Sequence, residues 1–272
     1  MRDAMPLPNA RPSLPARRRT WPTARAVLAL ILREMSVSYG RSPGGYLWAV
    51  LEPVSGILLL TFLFSLAFDA PPLGVSFLLF YATGLVPFLF YADLSAKVAQ
   101  SLNFSRQLLA YPSVTFVDAL LARFTLNGLT LLLVGYVIFA AICLAADTQS
   151  VLDPAQLALA YSMAAALALG VGAMNCVLVS LVPIWQQIWS ILNRPLFLVS
   201  CVFFLFDAVQ QPWRDVLWWN PLVHVVGAMR TAFYPTYDAS YLSPAYVFGL
   251  SLALLAGGLV LLGRYHRDII HG

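Results

Sequence analysis

Charge is what this sequence has least of, and lysine above all. Of its 272 residues 10% are charged and 60% are hydrophobic, against roughly 25% charged in an ordinary soluble domain. A soluble core cannot hide so much apolar surface, so the bilayer must be the solvent. Lys97 is the only lysine, in "SAKVA" with no glycine ahead of it. The phosphate-cradling loop G-x-x-x-x-G-K-[ST] needs both residue types, which excludes ATP hydrolysis within this chain. Three cysteines, Cys143, Cys176 and Cys201, stand singly in apolar runs. Without C-x-x-C or clustered histidines they indicate neither a disulfide nor a zinc site, and no metal ligands are assigned. H-E-x-x-H, G-x-S-x-G and any Cys/His pair are also missing, so no catalytic residue is assigned. A membrane-embedded lipid-modifying enzyme is the alternative of a different class. It would want paired carboxylates to hold Mg²⁺ on a diphosphate, whereas Glu52, Asp93 and Asp118 read as solitary. Internal repeats or several mid-membrane charges, usual in channels and secondary transporters, are not found either. The formal charge of +4 does not imply a nucleic-acid partner here; what matters is where the positive charges fall.

What is present is a series of charge-poor windows. A helix needs about 20 apolar residues to cross the hydrocarbon core. Residues 46–68 qualify apart from Glu52, as do 73–92 and 124–146. The run 154–193 carries no charge. As one helix it would be about twice the core thickness, so it must turn back. "SLVPIWQQ", with Pro183 and two glutamines, is the natural turn. Spans over 156–181 and 184–206 follow, and 239–263 is the last. The expectation is an all-α integral membrane protein with six transmembrane helices in one domain, residues 46–263.

Arginine orients it. Half of the 16 basic residues precede Tyr46, which places the amino terminus in the cytoplasm by the positive-inside rule. Six spans return the carboxyl-terminal tail, 264–272, to the same side, where Arg264 and Arg267 sit. Lys97 and Arg106 lie in a loop that the count also places inside, while the outer turns near Asp69 and between Asp147 and Asp153 hold acids and no Lys or Arg. A signal peptide is excluded: the apolar run 26–32 is short, ends at Arg33-Glu34 and lacks an A-x-A site.

Three segments are neither spans nor plain loops. Beyond a disordered basic tail at 1–23, residues 24–41 read as an amphipathic helix over 24–39. Val27, Ile31 and Met35 share one face and Arg25, Arg33 and Ser36 another. Such a helix lies in the inner-leaflet interface or serves only as a topogenic anchor. The loop 97–117 has helical character around 102–109, stopped before Pro112, and exceeds what a simple turn needs. It is either a handle for a soluble partner or a solvated connector. The third, 207–242, holds two apolar pieces, 216–219 and 222–232, too short to cross and divided by Asn220-Pro221. Asn caps a helix whose first residue is Pro. The region reads as a re-entrant helical hairpin between spans five and six, or as an ordinary aromatic belt of Trp213, Trp218 and Trp219.

"GYLWAVLEP", "LLAYPSVTFVDALLAR", "NRPLFLVSCVFF" and "WNPLVHVVGAMR" occur in that order. Together they closely resemble the KpsM-type capsular polysaccharide export permeases. These belong to the type-2 ABC exporter permeases, which also include O-antigen and teichoic-acid exporters; those two remain the alternatives. One departure stands out: the family commonly has an acid straight after the histidine-containing run, and here it is Gly227. The resemblance implies a homodimer in the bacterial inner membrane, each copy on a KpsT-like ATPase that binds ATP and Mg, with no cofactor on this chain. It implies a lipid-linked acidic polysaccharide passed to periplasmic and outer-membrane export proteins. The helix at 24–39 corresponds to the interface helix. Leu102, Asn103, Phe104, Arg106, Gln107 and Leu108 correspond to the ATPase-coupling helix. Trp218, Trp219, Asn220, Pro221, His224 and Arg230 fall in the periplasmic re-entrant gate.

A sugar conduit suits aromatic rings, whose faces meet C–H groups while polar tips meet hydroxyls. Tyr46, Trp48, Tyr81, Phe88 and Tyr91 are the candidate lining residues, with Glu52 near the entrance, or capping or ion-paired to an arginine such as Arg41. Arg194 falls within the membrane slab, either snorkelling to inner-leaflet phosphates or facing the path of an acidic polymer. Ala166/Gly170 and Ala253/Gly257 have the small-xxx-small spacing that permits close helix packing.

Overall fold

The computed structural model describes residues 22–38, 45–109, 114–146 and 150–271. Each regular element among them is helical, as long apolar runs require: in hydrocarbon a helix satisfies its backbone polar groups within itself. In chain order they are α1 (Pro22–Ser38), α2 (Gly45–Ala67), α3 (Phe77–Ala99), α4 (Ser101–Leu109), α5 (Phe116–Ala145), α6 (Pro154–Leu181) and α7 (Trp185–Leu198). A 3₁₀ turn (Phe206–Ala208), α8 (Trp213–Trp218), α9 (Pro221–Phe233) and α10 (Pro244–His271) complete it. The basic tail expected at 1–23, apart from its last residues, and Arg41 lie outside the described residues, as does the side chain of Tyr46.

Local chemistry sets the starts. The Ser76 side chain accepts from the Leu79 amide to open α3. Thr115 and Asp118 form a reciprocal capping box at α5: the Thr115 hydroxyl accepts from Asp118 N at 3.2 Å, and Asp118 Oδ2 accepts from Thr115 N at 2.9 Å. Asp153 accepts from Ala155 N and Gln156 N, with Pro154 as the first residue of α6.

Among the described residues, five stretches are long and apolar enough to cross a membrane: Leu47–Ala67, Phe77–Leu109, Phe116–Ala145, Pro154–Leu181 and Pro244–Tyr265. The second joins α3 to α4 through Gln100, whose amide still donates to Lys97 O. α3 is the hub and packs against α2, α5, α6 and α9. α6 is clasped between α3 and α10, where small residues let backbones meet. A Cβ on Gly170 would collide with the Ser251 carbonyl, and one on Gly258 would lie 2.8 Å from the Ala173 carbonyl carbon. Gly170 is therefore part of a close contact, while Gly257 meets only the Met174 side chain.

Two ends are defined by this path. At one, α1 and α4 flank the start of α5 and the end of α3; at the other, α9 meets the starts of α3, α6 and α10. α1 spans the expected amphipathic segment, but the buried stripe runs through Leu30 and Glu34, while Leu28, Leu32 and Met35 are exposed. Periodicity alone could not choose that face, because the stripe that packs contains an acid with a partner on α5.

Residues 184–206, expected as one continuous span, form instead a 14-residue helix followed by an irregular turn. At about 1.5 Å per residue α7 is roughly 21 Å long. Pro195 removes a backbone donor one turn before the end, and Cys201 takes a left-handed φ of 57° beyond it. The apolar run FLVSCVFFLF hides this break, since no glycine or polar cluster marks it.

Candidate functional site

At the α9 end the break in α7 is sealed by side chains. A helix that stops inside a membrane protein leaves carbonyls without partners. Asn220 Nδ2 donates to Val199 O at 3.1 Å and to Ser200 Oγ at 3.2 Å, while its Oδ1 accepts from Leu222 N and caps α9. Arg230, one residue of α9 with no exposed surface, donates from Nη1 to Phe204 O at 2.9 Å and from Nη2 to Val202 O at 3.1 Å. Its guanidinium carbon lies 4.5 Å from the Phe80 ring centroid. No carboxylate pairs with it among the described residues, and its Nε has no hydrogen-bond partner. Burial works against the charge and pulls its pKa down from the ordinary arginine value. On the other side Gly84 lets the Val202 backbone press on α3: a Cβ there would stand 2.9 Å from Val202 O.

The remaining residues expected in a gate surround this seal. His224 is buried; its Nε2–H donates to Trp218 O at 2.9 Å and its Nδ1 accepts from Ser243 N at 3.2 Å. The neutral ring satisfies both bonds, and burial lowers its pKa. Trp218 Nε1 donates to Tyr241 O, and the Tyr246 hydroxyl donates to Trp219 O at 2.7 Å. Trp219, just past the end of α8, is exposed, as is Trp213 at its start. Asp207 takes Arg214 at 3.1 Å and the Tyr237 hydroxyl at 3.3 Å. The Gly227 departure has a physical counterpart: a Cβ there would meet the Tyr241 ring at 3.1 Å, so Tyr241 fills the space an acid would take.

The other end is built on a buried ion pair. Arg123 Nε of α5 meets Glu34 Oε1 of α1 at 3.0 Å, and Asn127 Nδ2 donates to the same oxygen at 3.1 Å. Arg123 also donates to Gln100 O, at the α3–α4 joint, and stacks its guanidinium 4.2 Å from the Phe104 ring of α4; Arg33 covers the same ring at 5.7 Å. On α4, Leu102 is buried inward and Phe104 and Leu108 are half-buried, while Asn103, Arg106 and Gln107 face outward. Glu34, Gln100, Arg123 and Asn127 did not emerge from sequence patterns. The available signal was Arg123 itself, a lone charge between apolar neighbours.

Between the ends the candidate path residues separate. Tyr81, Phe88 and Tyr91 are enclosed within the chain's core, whereas Trp48 is exposed on α2 and Arg194 on α7. Tyr81 packs on Phe64 and Phe80, and Phe88 on Phe197. Glu52 and Asp93 are not solitary in space: α2 and α3 bring both to one small cavity beside Pro53 and Gly135. Asp118 is engaged in its capping box instead. No group of three or more His, Cys, Asp or Glu side chains could hold a metal among the described residues.

An all-helical bundle with several membrane-length helices, a sealed break at one end and an ion-paired helix cluster at the other defines a polytopic membrane protein. The family model described as ABC-2 type transporter matches residues 25–234, and the chain belongs to that family. It is similar to the polysialic acid transport protein KpsM of Escherichia coli, 31% identical over 235 residues, covering 86% of this chain and 91% of the relative. It is also similar to the capsule polysaccharide export inner-membrane protein CtrC of Neisseria meningitidis, 23% identical over 245 residues (90% and 92%). The capsule polysaccharide export inner-membrane protein BexB of Haemophilus influenzae is 22% identical over 245 residues, with the same coverage.

Proposed function

We propose that this chain is the membrane permease of a bacterial capsular-polysaccharide exporter, moving a lipid-linked acidic polymer across the inner membrane. The observation that carries this is the 31% identity to a polysialic acid transport protein across 86% of the chain. In this reading the α1 end is cytoplasmic, the α9 end periplasmic, and both termini are inside. α7 and the turn to residue 206 make the sixth crossing: Trp185 bonds to Asn175 near the end of α6, while Val202 already abuts Gly84 and Arg230. α1 lies in the inner interface with Leu28, Leu32 and Met35 toward lipid. α8 and α9 form the periplasmic re-entrant gate.

Two copies face each other, each on a KpsT-like subunit that binds ATP and Mg, and periplasmic and outer-membrane export proteins receive the polymer. Asn103, Arg106 and Gln107 on the outward face of α4 contact the ATPase. Disruption of the gene in its host should leave polymer inside the cell and none on the surface, with a plasmid copy restoring it. Cysteines at Asn103 or Gln107 should crosslink to the ATPase, and a cysteine at Val151 should not. Normal surface capsule in the disrupted strain, or loss of O-antigen in its place, refutes the assignment; crosslinking from Val151 alone refutes the orientation.

A further inference from the structure

α5 and α6 are neighbours in sequence but barely pack against each other. Between them lies a cavity of about 710 Å³, walled by Leu132, Tyr136 and Cys143 of α5 and by Leu157, Ala158 and Ala165 of α6. Its floor includes Phe90 of α3 and Phe233, the last residue of α9. Tyr136 and Cys143 at its mouth are exposed, so it opens on the flank of the bundle. Almost the whole lining is apolar, and no charged residue contributes to it.

Position identifies the occupant. On α5 the lining runs from Leu132 to Cys143, and on α6 from Pro154 to Ala165. Either stretch is about 16 Å along its axis at 1.5 Å per residue, the depth of one leaflet in a core about 30 Å thick. Both lie in the halves of their helices nearest α9. A crevice one leaflet deep, open sideways and free of charge, has hydrocarbon chains as its solvent. Its size falls in the range of small-ligand sites, about 300–1,000 Å³. We propose that this groove is a binding site for an acyl chain of a membrane phospholipid from the leaflet at the α9 end. The chain lies along α5 and α6 with its carbonyl end toward the 152–154 turn. The site is independent of the polymer exported.

Occupancy has a consequence for α9. Phe233 packs on Phe139 at a tilt, with ring centroids 4.5 Å apart, and Ala232 O accepts from Asp153 N at 2.8 Å. A chain seated against these rings packs the end of α9 onto the α6 cap, whereas an empty groove leaves them without atoms on one side.

The test uses the full chain in vesicles of phosphatidylethanolamine and phosphatidylglycerol containing a phosphatidylethanolamine with a diazirine midway along one acyl chain. After photolysis, adducts are mapped by mass spectrometry. The expected result is labelling at Leu132, Tyr136 and Tyr161 several-fold above that on the exposed α2 face at Leu59 and Phe62. Ala158→Trp or, from the opposite wall, Ala140→Trp should lower it to the α2 level. Even labelling of all exposed helix faces would overturn the proposal, since it describes annular lipid only. So would groove labelling unchanged in a Trp variant that reaches the membrane at normal abundance. If one Trp variant is not inserted, the other decides. Displacement of the label by a lipid-linked polymer, with phospholipid ineffective, would also overturn it by assigning the groove to the substrate's anchor.

Discussion

Replacing Arg230 tests whether the seal at the α7 break works by geometry or by charge. The guanidinium bridges two carbonyls, Val202 O and Phe204 O, and rests on Phe80. Hydrogen bonds from a charged group contribute roughly 1.5–3 kcal/mol each, and a desolvated cation–π contact about 2 kcal/mol. Against that gross gain of about 5–8 kcal/mol stands the desolvation of an arginine without a carboxylate, several kcal/mol in a protein interior. Arg230→Met keeps the apolar stem, forfeits the bonds and removes the charge penalty, so the net loss should be about 2 kcal/mol. Arg230→Lys keeps the penalty but has no planar fork to reach both carbonyls; it should be as damaging as Met or more so. Cys201 reports the opening, being buried in the turn that Arg230 holds. With Cys143 and Cys176 replaced by Ser, maleimide labelling of Cys201 should rise about 30-fold in the Met variant, at 1.4 kcal/mol per factor of ten. A Lys variant as slow to label as the parent would refute the bridging argument and leave charge alone as the cause.

Glu34 and Arg123 should behave differently, because there the charge is paired. Glu34→Ala strands a buried guanidinium and should cost about 3–5 kcal/mol; Glu34→Leu with Arg123→Met should recover most of it, measured as thermal unfolding in detergent. Equal losses in the single and double variants would show that the pair is not coupled. His224 supplies a pH signature. Its folded-state pKa is lowered by burial, so the unfolded chain takes a proton first, near pH 6.5. Its stabilisation is fully present above that value and is lost progressively as the pH falls below it. Unfolding temperatures from pH 8 to 5 should drop more steeply for the parent than for His224→Gln, and parallel curves would remove His224 as the cause.

The spans were legible because burial in lipid imposes a length on apolar runs, and α2, α3, α5, α6 and α10 follow that length. The Asn220-Pro221 cap was legible because capping is local: the amide oxygen needs only its own next turn. What pattern could not supply was partner identity. Glu34 looks like a stray acid on a basic helix until α5 brings Arg123 and Asn127 to it, 89 and 93 residues away. The end of α7 looks like uninterrupted span because the groups that satisfy its carbonyls, Asn220 and Arg230, come from the next helix but one. Glu52 and Asp93 looked solitary because a helix pair, and no motif, unites them.

The two buried arginines then divide the molecule by how firmly each joint is made. Arg123 binds the Glu34 carboxylate and the Gln100 backbone carbonyl, and Asn127 donates to the same carboxylate, so α1, α5 and the α3–α4 joint are held by a compensated charge. Separating them would expose two ions to a low dielectric at once, which favours motion of the three as one body. Arg230 holds only carbonyl oxygens and a ring. The cation gains solvation as it leaves them. The joint at the α9 end is thus the one whose opening returns desolvation energy, which suits the gate proposed there, while the α1 end suits the proposed coupling linkage.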